Sequence, residues 1–153
     1  MSSTPPVDFG LLLNLAFGAF KDALHHDLAQ GGFADIGSSF GYVLRLLDDV
    51  PHSLSELATR LEMTPPGALK VVEDMVAKGY VSRVDDAQDK RVKRLHLTPR
   101  GRALLARAHD FHVRYEQALG AQLGTRRVAA ARQVLECMAA AAASRSGRSA
   151  RPL

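Results

Sequence analysis

Residues 53–79 read SLSELATRLEMTPPGALKVVEDMVAKG, and this stretch decides the fold class. Ser53 and Glu56 make a capping box, in which the hydroxyl and the carboxylate each satisfy an amide left free at a helix start. Leu54, Leu57, Ala58 and Leu61 follow at helical spacing, so a helix of about eight residues is expected. The chain then turns at Glu62 and Met63. Thr64 caps a second helix with Pro65 at its first position, where the missing amide is no loss. Gly79 ends that helix by taking the left-handed conformation that a β-carbon disfavours. Two helices across a tight turn describe a helix-turn-helix, whose second helix enters the major groove of DNA by its N-terminal end. Residues Thr64 to Val71 would face the duplex, with free amides and a positive dipole end suited to a phosphate.

Toward the C-terminus, Tyr80 to Val84 and Val92 to Leu97 have the length and apolar content of two strands, and the polar run Asp85 to Lys90 joins them as a charged loop. That hairpin is a wing. Thr98 and Pro99 open a further helix with Leu104, Leu105, Ala108, Phe111, Tyr115 and Leu119 at helical spacing, expected to reach Gly120. At ~1.5 Å per residue it is roughly 33 Å long, more than a small head needs. Thr125 is expected to cap a last, Ala-rich helix with Val128, Ala131, Leu135, Met138 and Ala142 along one face.

Toward the N-terminus, Asp8 is expected to cap a helix carrying Phe9, Leu12, Leu13, Ala16, Phe17, Phe20, Leu24 and Leu28, stopped by Gly31 and Gly32. A shorter helix from Ser38 to Asp48 presents Phe40, Val43, Leu44 and Leu47, and Pro51 follows its break. The fold class is therefore mainly α with a small β-hairpin wing (α+β).

Composition agrees. Of 153 residues, 46% are hydrophobic and 24% charged, while the absence of Trp and 6% aromatics argue against a large β-sandwich core. A single cysteine, Cys137, rules out an internal disulfide and fits a reducing compartment, so a cytoplasmic location is expected. The start has no basic n-region, and its apolar run is cut by Asn14, by glycines and then by Lys21 and Asp22, which suits neither a signal peptide nor a membrane span. Net charge is +4, unevenly placed. Residues 1–51 carry Lys21 and Arg45 against six Asp, whereas Arg83, Lys90, Arg91, Lys93, Arg94, Arg100 and Arg102 cluster later against Asp85, Asp86 and Asp89. A clustered basic segment suits a phosphate backbone, and a solvated charged face would look the same from charge alone.

Leu57-Ala58, Leu61, Thr64, Gly79-Tyr80-Val81, Asp89-Lys90-Arg91, and Leu97-Thr98 with Gly101 make an ordered set. Through it the chain, from about residue 36 to 120, resembles the MarR family of winged helix-turn-helix regulators. The resemblance implies an N-terminal dimerisation helix in 1–35, a DNA-binding head in 36–98 and dimerisation helices in 99–143, while the composition of 144–153 leads us to expect a disordered tail. The resemblance also implies roles. Asp89 would orient the wing while Arg91 reaches a minor groove, reading its shape and potential more than base identity. Ser53, Thr64, Pro65, Pro66, Gly67, Lys70, Arg83, Lys90 and Lys93 complete the expected DNA-binding set. Pro65, Pro66, Gly67 and Ala68 are poor in hydrogen-bonding groups, so direct readout by the helix start should be sparse, unless Pro66 and Gly67 only shape that start. The family's small-molecule cleft, often for aromatic acids, would here be lined by Phe20, Leu24, Phe40 and Phe111; helical spacing alone assigns these aromatic residues to packing.

His25, His26 and the His109/His112 pair invite a metal hypothesis, but nothing in the sequence brings the two pairs together, and no metal or cofactor is expected. Cys137 has no thiolate-stabilising neighbour in sequence. No phosphate-binding glycine loop, nucleophile elbow or His-Glu-x-x-His is present, so no enzyme is expected. The reading is a homodimeric regulator, a repressor, on a pseudo-palindromic double-stranded operator, released by a small aromatic effector. A winged-helix protein-interaction module and a metal-responsive regulator are the alternatives.

Overall fold

The computed structural model describes residues 7–146, with side chains to residue 141. The chain divides into two compact units, Met1–Ala34 and Asp35–Leu153.

In the first unit, α1 spans Phe9–Gln30. Asp8 stands at its N-cap without a side-chain cap bond, so the expected capping role is not realised. The C-terminal stop is as expected: Gly32 takes φ 86°, and the Gly32 and Phe33 amides return to the carbonyls of Ala29 and Leu28. Leu28 is the buried residue of this helix, while Phe9, Leu11, Leu12, Leu15 and Phe17 are exposed.

The second unit runs α2 (Phe40–Asp49), β1 (His52–Ser53), α3 (Leu54–Arg60), α4 (Pro65–Ala77), β2 (Val81–Asp85), β3 (Lys93–Leu97), α5 (Pro99–Leu123) and α6 (Thr125–Ser146). The expected hairpin is joined by a strand that sequence reading did not find. His52 and Ser53 pair antiparallel with Leu95 and Arg94, giving a three-stranded sheet of order β1-β3-β2. His52 is buried there and its Nδ1 bonds the Val50 carbonyl at 2.7 Å, which fixes the chain entering the helix-turn-helix. Tyr80 and Val92, expected as strand residues, lie just outside the strands.

The core of the head is apolar: Val43, Leu44 and Leu47 of α2, Leu57 and Ala58 of α3, Ala68, Val72 and Met75 of α4, and Leu95 and Leu97 of β3 are all buried. Tyr80 ties these layers together. Its amide donates to the Met75 carbonyl at 2.8 Å, and its own carbonyl accepts the Thr98 amide at 3.1 Å. The Thr98 hydroxyl donates to the Gly79 carbonyl at 2.6 Å and accepts the Gly101 amide at 3.0 Å, so one threonine caps α5 and fastens it to the turn after α4. The α5 start lies so close to this turn that a β-carbon on Gly101 would overlap the Tyr80 carbonyl oxygen. Gly79 sits at φ 76°.

Thr125 does not cap α6. It is the first helical residue, and Gly124, at φ 94°, provides the carbonyl that accepts the Arg127 and Val128 amides. Glycine is favoured there because the tight α5–α6 corner needs a positive φ. Arg132 of α6 bonds Glu116 of α5 through two nitrogens and so straps the pair together. The helix continues to Ser146, beyond the expected boundary at 143, and the remainder of the tail expected to be disordered lies outside the described residues.

Gly101→Ala should therefore destabilise the chain by roughly 1–3 kcal/mol, as overpacking against fixed backbone does. Gly79→Ala should cost about 1–2 kcal/mol through its φ alone. Gly41→Ala, where a β-carbon would meet nothing within 4 Å, should be neutral or slightly stabilising. Urea unfolding midpoints of the three variants check this ranking.

Candidate nucleic-acid interface

The capping box predicted at Ser53 is formed in full: the Ser53 amide donates to Glu56 Oε2 at 2.8 Å, and the Glu56 amide to Ser53 Oγ at 3.2 Å. At α4, Thr64 Oγ1 accepts the Gly67 amide at 3.2 Å, with Pro65 and Pro66 in the first turn. One expectation fails here. Proline has no amide hydrogen, the Gly67 amide is taken by the Thr64 hydroxyl, and the Ala68 amide by the Thr64 carbonyl at 2.9 Å. The residues of the first turn of α4 therefore offer no free backbone amide to a phosphate. A β-carbon on Gly67 would sit 3.0 Å from Thr64 Oγ1, so this glycine also serves the tightness of the cap.

Along its length, α4 exposes Pro65, Pro66, Leu69, Lys70 and Glu73 on one face and buries Ala68, Val72 and Met75 on the other. Asp74, between the two, bonds Lys78 Nζ at 2.9 Å. An open groove of about 360 Å³ separates the α3 start from the wing, lined by Ser53, Leu54, Ser55, Leu69, Arg83, Val92, Lys93 and Leu95.

In the wing, Asp89 Oδ1 accepts the Arg91 amide at 2.9 Å and the Asp89 carbonyl accepts the Val92 amide at 2.9 Å, closing the turn on which Lys90 and Arg91 stand. Arg83, Lys90 and Arg91 are exposed and form no ion pair with any described residue. Lys93, expected to face DNA, is instead bonded to Asp85 directly across the strands. Both partners of that pair are exposed, so competition from a phosphate could still release the lysine.

Arg94 was legible only as one cation of the basic cluster, and the structure gives it another task. Its Nε donates to Asp86 Oδ2 and its Nη1 to Glu56 Oε2, each at 2.6 Å. The other oxygen of Asp86 accepts the Gln88 and Asp89 amides. One guanidinium thus links the base of the wing to the capping box of α3. The hydrogen bond from Arg94, then those from the two loop amides, hold the Asp86 carboxyl down at about 2, against 3.8 unperturbed. The Ser53 amide bond is the main cause that lowers Glu56. Hairpin register could have exposed this pairing, because Val84 opposite Arg94 places Asp86 beside it.

Of the residues named for a ligand cleft, Phe20 and Leu24 lie on α1, and Phe40 and Phe111 are buried in the second unit. Phe40 meets the Tyr80 ring edge-on at 5.7 Å, and Phe111 packs on Tyr115 at 5.5 Å. Among the described residues, no three of His, Cys, Asp or Glu are grouped so as to hold a metal ion. His112 is half-buried on α5, and burial, then the Arg45 and His109 charges, lowers its pKa. No described helix is long and apolar enough to cross a membrane.

A carboxyl held low in the fold stabilises it above its unfolded pKa, and that contribution is lost as pH falls through the folded value. For Asp86 the window runs from about pH 4 down to about 2. Asp86→Asn should be less stable than the parent at neutral pH, and the gap should narrow as pH falls through that window. Thermal midpoints of both chains from neutral pH to pH 3 check it; a gap that does not change with pH would break the link.

The MarR family model matches residues 41–92, the segment from α2 through the wing loop. The exopolysaccharide II synthesis transcriptional activator ExpG of Rhizobium meliloti (strain 1021) is 28% identical over 100 residues, covering 65% of this chain and 52% of that protein. The chain thus spans about half the length of this curated relative. Among solved structures, the transcriptional repressor CouR bound to a 23-mer DNA duplex matches with a TM-score of 0.67 at 28% identity, over 86% of this chain and 92% of that one. The reduced form of MarR from E. coli matches in fold with a TM-score of 0.69 at 22% identity, over 88% and 98%. The helix-turn-helix and wing thus lie in a segment that matches the MarR family model, and the chain shares the fold of these winged-helix regulators over most of its length.

Proposed function

We propose that this chain is a sequence-specific, double-stranded DNA-binding transcriptional regulator. It acts as a homodimer that represses its target and is released by a small aromatic ligand. The observation that carries this reading is the wing: Arg83, Lys90 and Arg91 stand exposed and unpaired among the described residues, while Arg94 is consumed in holding the hairpin. Cations kept free beside an exposed helix face suit a polyanion better than a partner recognised by packing. That CouR, matched over most of both chains, is a repressor bound to a duplex supports the repressor sense.

Homodimerisation is supported by apolar side chains that a lone chain would leave in water, Phe9, Leu12, Leu15 and Phe17 on α1, and Val134, Leu135 and Met138 on α6. Two heads on a two-fold axis would address half-sites about 34 Å apart. Asp89 then orients the wing, Arg91 enters the minor groove, Lys70 and Thr64 meet the major groove, and Ser53 lies at the backbone. Ligand release requires different affinities for the DNA-competent and incompetent arrangements.

In fluorescence anisotropy, a duplex from upstream of the coding region should bind far more tightly than random duplex, with two chains per site. Arg91→Ala should weaken both and lower the log–log salt slope by about 1. Arg94→Ala should weaken binding with the slope unchanged, because its guanidinium already serves two carboxylates. Equal binding to both duplexes would refute sequence specificity.

An aromatic acid that raises the melting temperature should lower affinity for the operator duplex. A panel in which every stabilising acid leaves DNA affinity unchanged would refute release by such a ligand.

A further inference from the structure

The first turn of α4 is chemically unusual for a surface that faces a duplex. It presents two proline rings and no free amide, and the next exposed side chain on that face is Leu69, 37% exposed. Ala68, Val72 and Met75 fill the buried side, so Leu69 is not a core residue displaced outward. It borders the groove that Arg83 and Lys93 line from the wing, and Lys70 follows it on the helix. Leu54, Val92 and Leu95 line the same groove, so Leu69 belongs to an apolar strip edged by positive charge. In the major groove a duplex offers one methyl group, the 5-methyl of thymine, among edges otherwise marked by hydrogen-bond donors and acceptors and by small ring C–H groups.

We infer that Leu69, with the Pro66 ring three residues before it in the sequence, reads thymine by its 5-methyl group, so that selection of T at one position of each half-site rests on an apolar contact. This inference rests on the DNA-binding reading above. The Pro65-Pro66 pair makes the contact selective by removing donors that could otherwise bond indiscriminately to phosphates or base edges. Lys70 and Glu73, one and four residues further on, carry the donor and the acceptor on the same face. Hydrogen-bonded readout is thereby placed at neighbouring base pairs.

The test uses the full chain and the duplex it enriches from a randomised pool. Each thymine is replaced in turn by deoxyuridine, which deletes the methyl and keeps every hydrogen-bonding group. For the parent chain, replacement at one thymine in each half-site should weaken binding about fourfold per methyl, the worth of one buried methyl-sized group. Leu69→Met should keep that penalty. Leu69→Ala should bind the thymine and deoxyuridine duplexes alike, with a cooperative melting transition recorded alongside to show that the variant is folded. A parent indifferent to every deoxyuridine, or a penalty undiminished in Leu69→Ala, would overturn the inference and leave DNA binding standing. A pool from which nothing is enriched would overturn the sequence-specific reading itself, and this inference with it.

Discussion

The close approach of α5 to the turn after α4 is the constraint on which the rest of the head depends. Backbone meets backbone there: the Tyr80 carbonyl takes the Thr98 amide, and only a residue without a β-carbon fits at position 101. Tyr80 is fully buried, with its ring between the Phe40 edge and the Arg100 guanidinium, 4.7 Å from the ring centroid, and its hydroxyl donating to Asp35. Burial, then the Asp35 bond, pushes the phenol up to about 12, and the Tyr80 bond is the main cause that lowers Asp35. Donor and acceptor roles are therefore fixed at any ordinary pH. The segment before α2, the end of α4, the start of β2 and the start of α5 all converge on one side chain and its peptide. A shift of α5 at this end must carry the C-terminal end of α4 with it or break these bonds.

A second constraint sits at the other end of the sheet. The wing is a two-stranded hairpin with a polar tip, a form that is marginal by itself. Here the short β1 strand widens it on one side, and Arg94 anchors its base to the α3 capping box. The arrangement divides the basic cluster by role. Arg94, and less firmly Lys93, spend their charge on carboxylates within the hairpin and its neighbour, whereas Lys90 and Arg91 at the tip form no ion pair with any described residue. Exposed ion pairs add little stability individually, so the worth of this network lies in fixing where the tip stands.

What could be read from sequence follows the distance over which each feature is determined. The capping box at Ser53, the Thr64 and Thr98 caps, and the stops at Gly32 and Gly79 are settled by residues three or four positions apart, and all were legible. Strand β1 was not, because its two residues look like a helix entry and gain strand character only by pairing with Leu95 and Arg94 some forty positions away. Arg94 itself read as one cation among seven, since net charge along a segment does not say which carboxylate each cation meets. Thr125 was mistaken for a cap because it precedes a helical run, yet the corner requires a positive φ and so the glycine before it takes the position.

The error about α4 is the most informative of these. A helix start is ordinarily an anion site because its first amides have no partner within the helix. In this sequence the same residues that promote the start, Thr64 and two prolines, also cancel those donors: the prolines by lacking amide hydrogens, the threonine by capping with both its hydroxyl and its carbonyl. Helix initiation and phosphate binding compete for one set of groups, and initiation has won. In the proposed DNA-binding reading, phosphate contacts would fall to the wing cations and to Ser53 and Ser55, which line the groove on its α3 side, while α4 would meet bases through side chains alone. A face of two prolines, a leucine, a lysine and a glutamate is sparse in hydrogen-bonding groups, so base discrimination by it would draw on apolar contact and on the shape of the duplex as much as on hydrogen bonds.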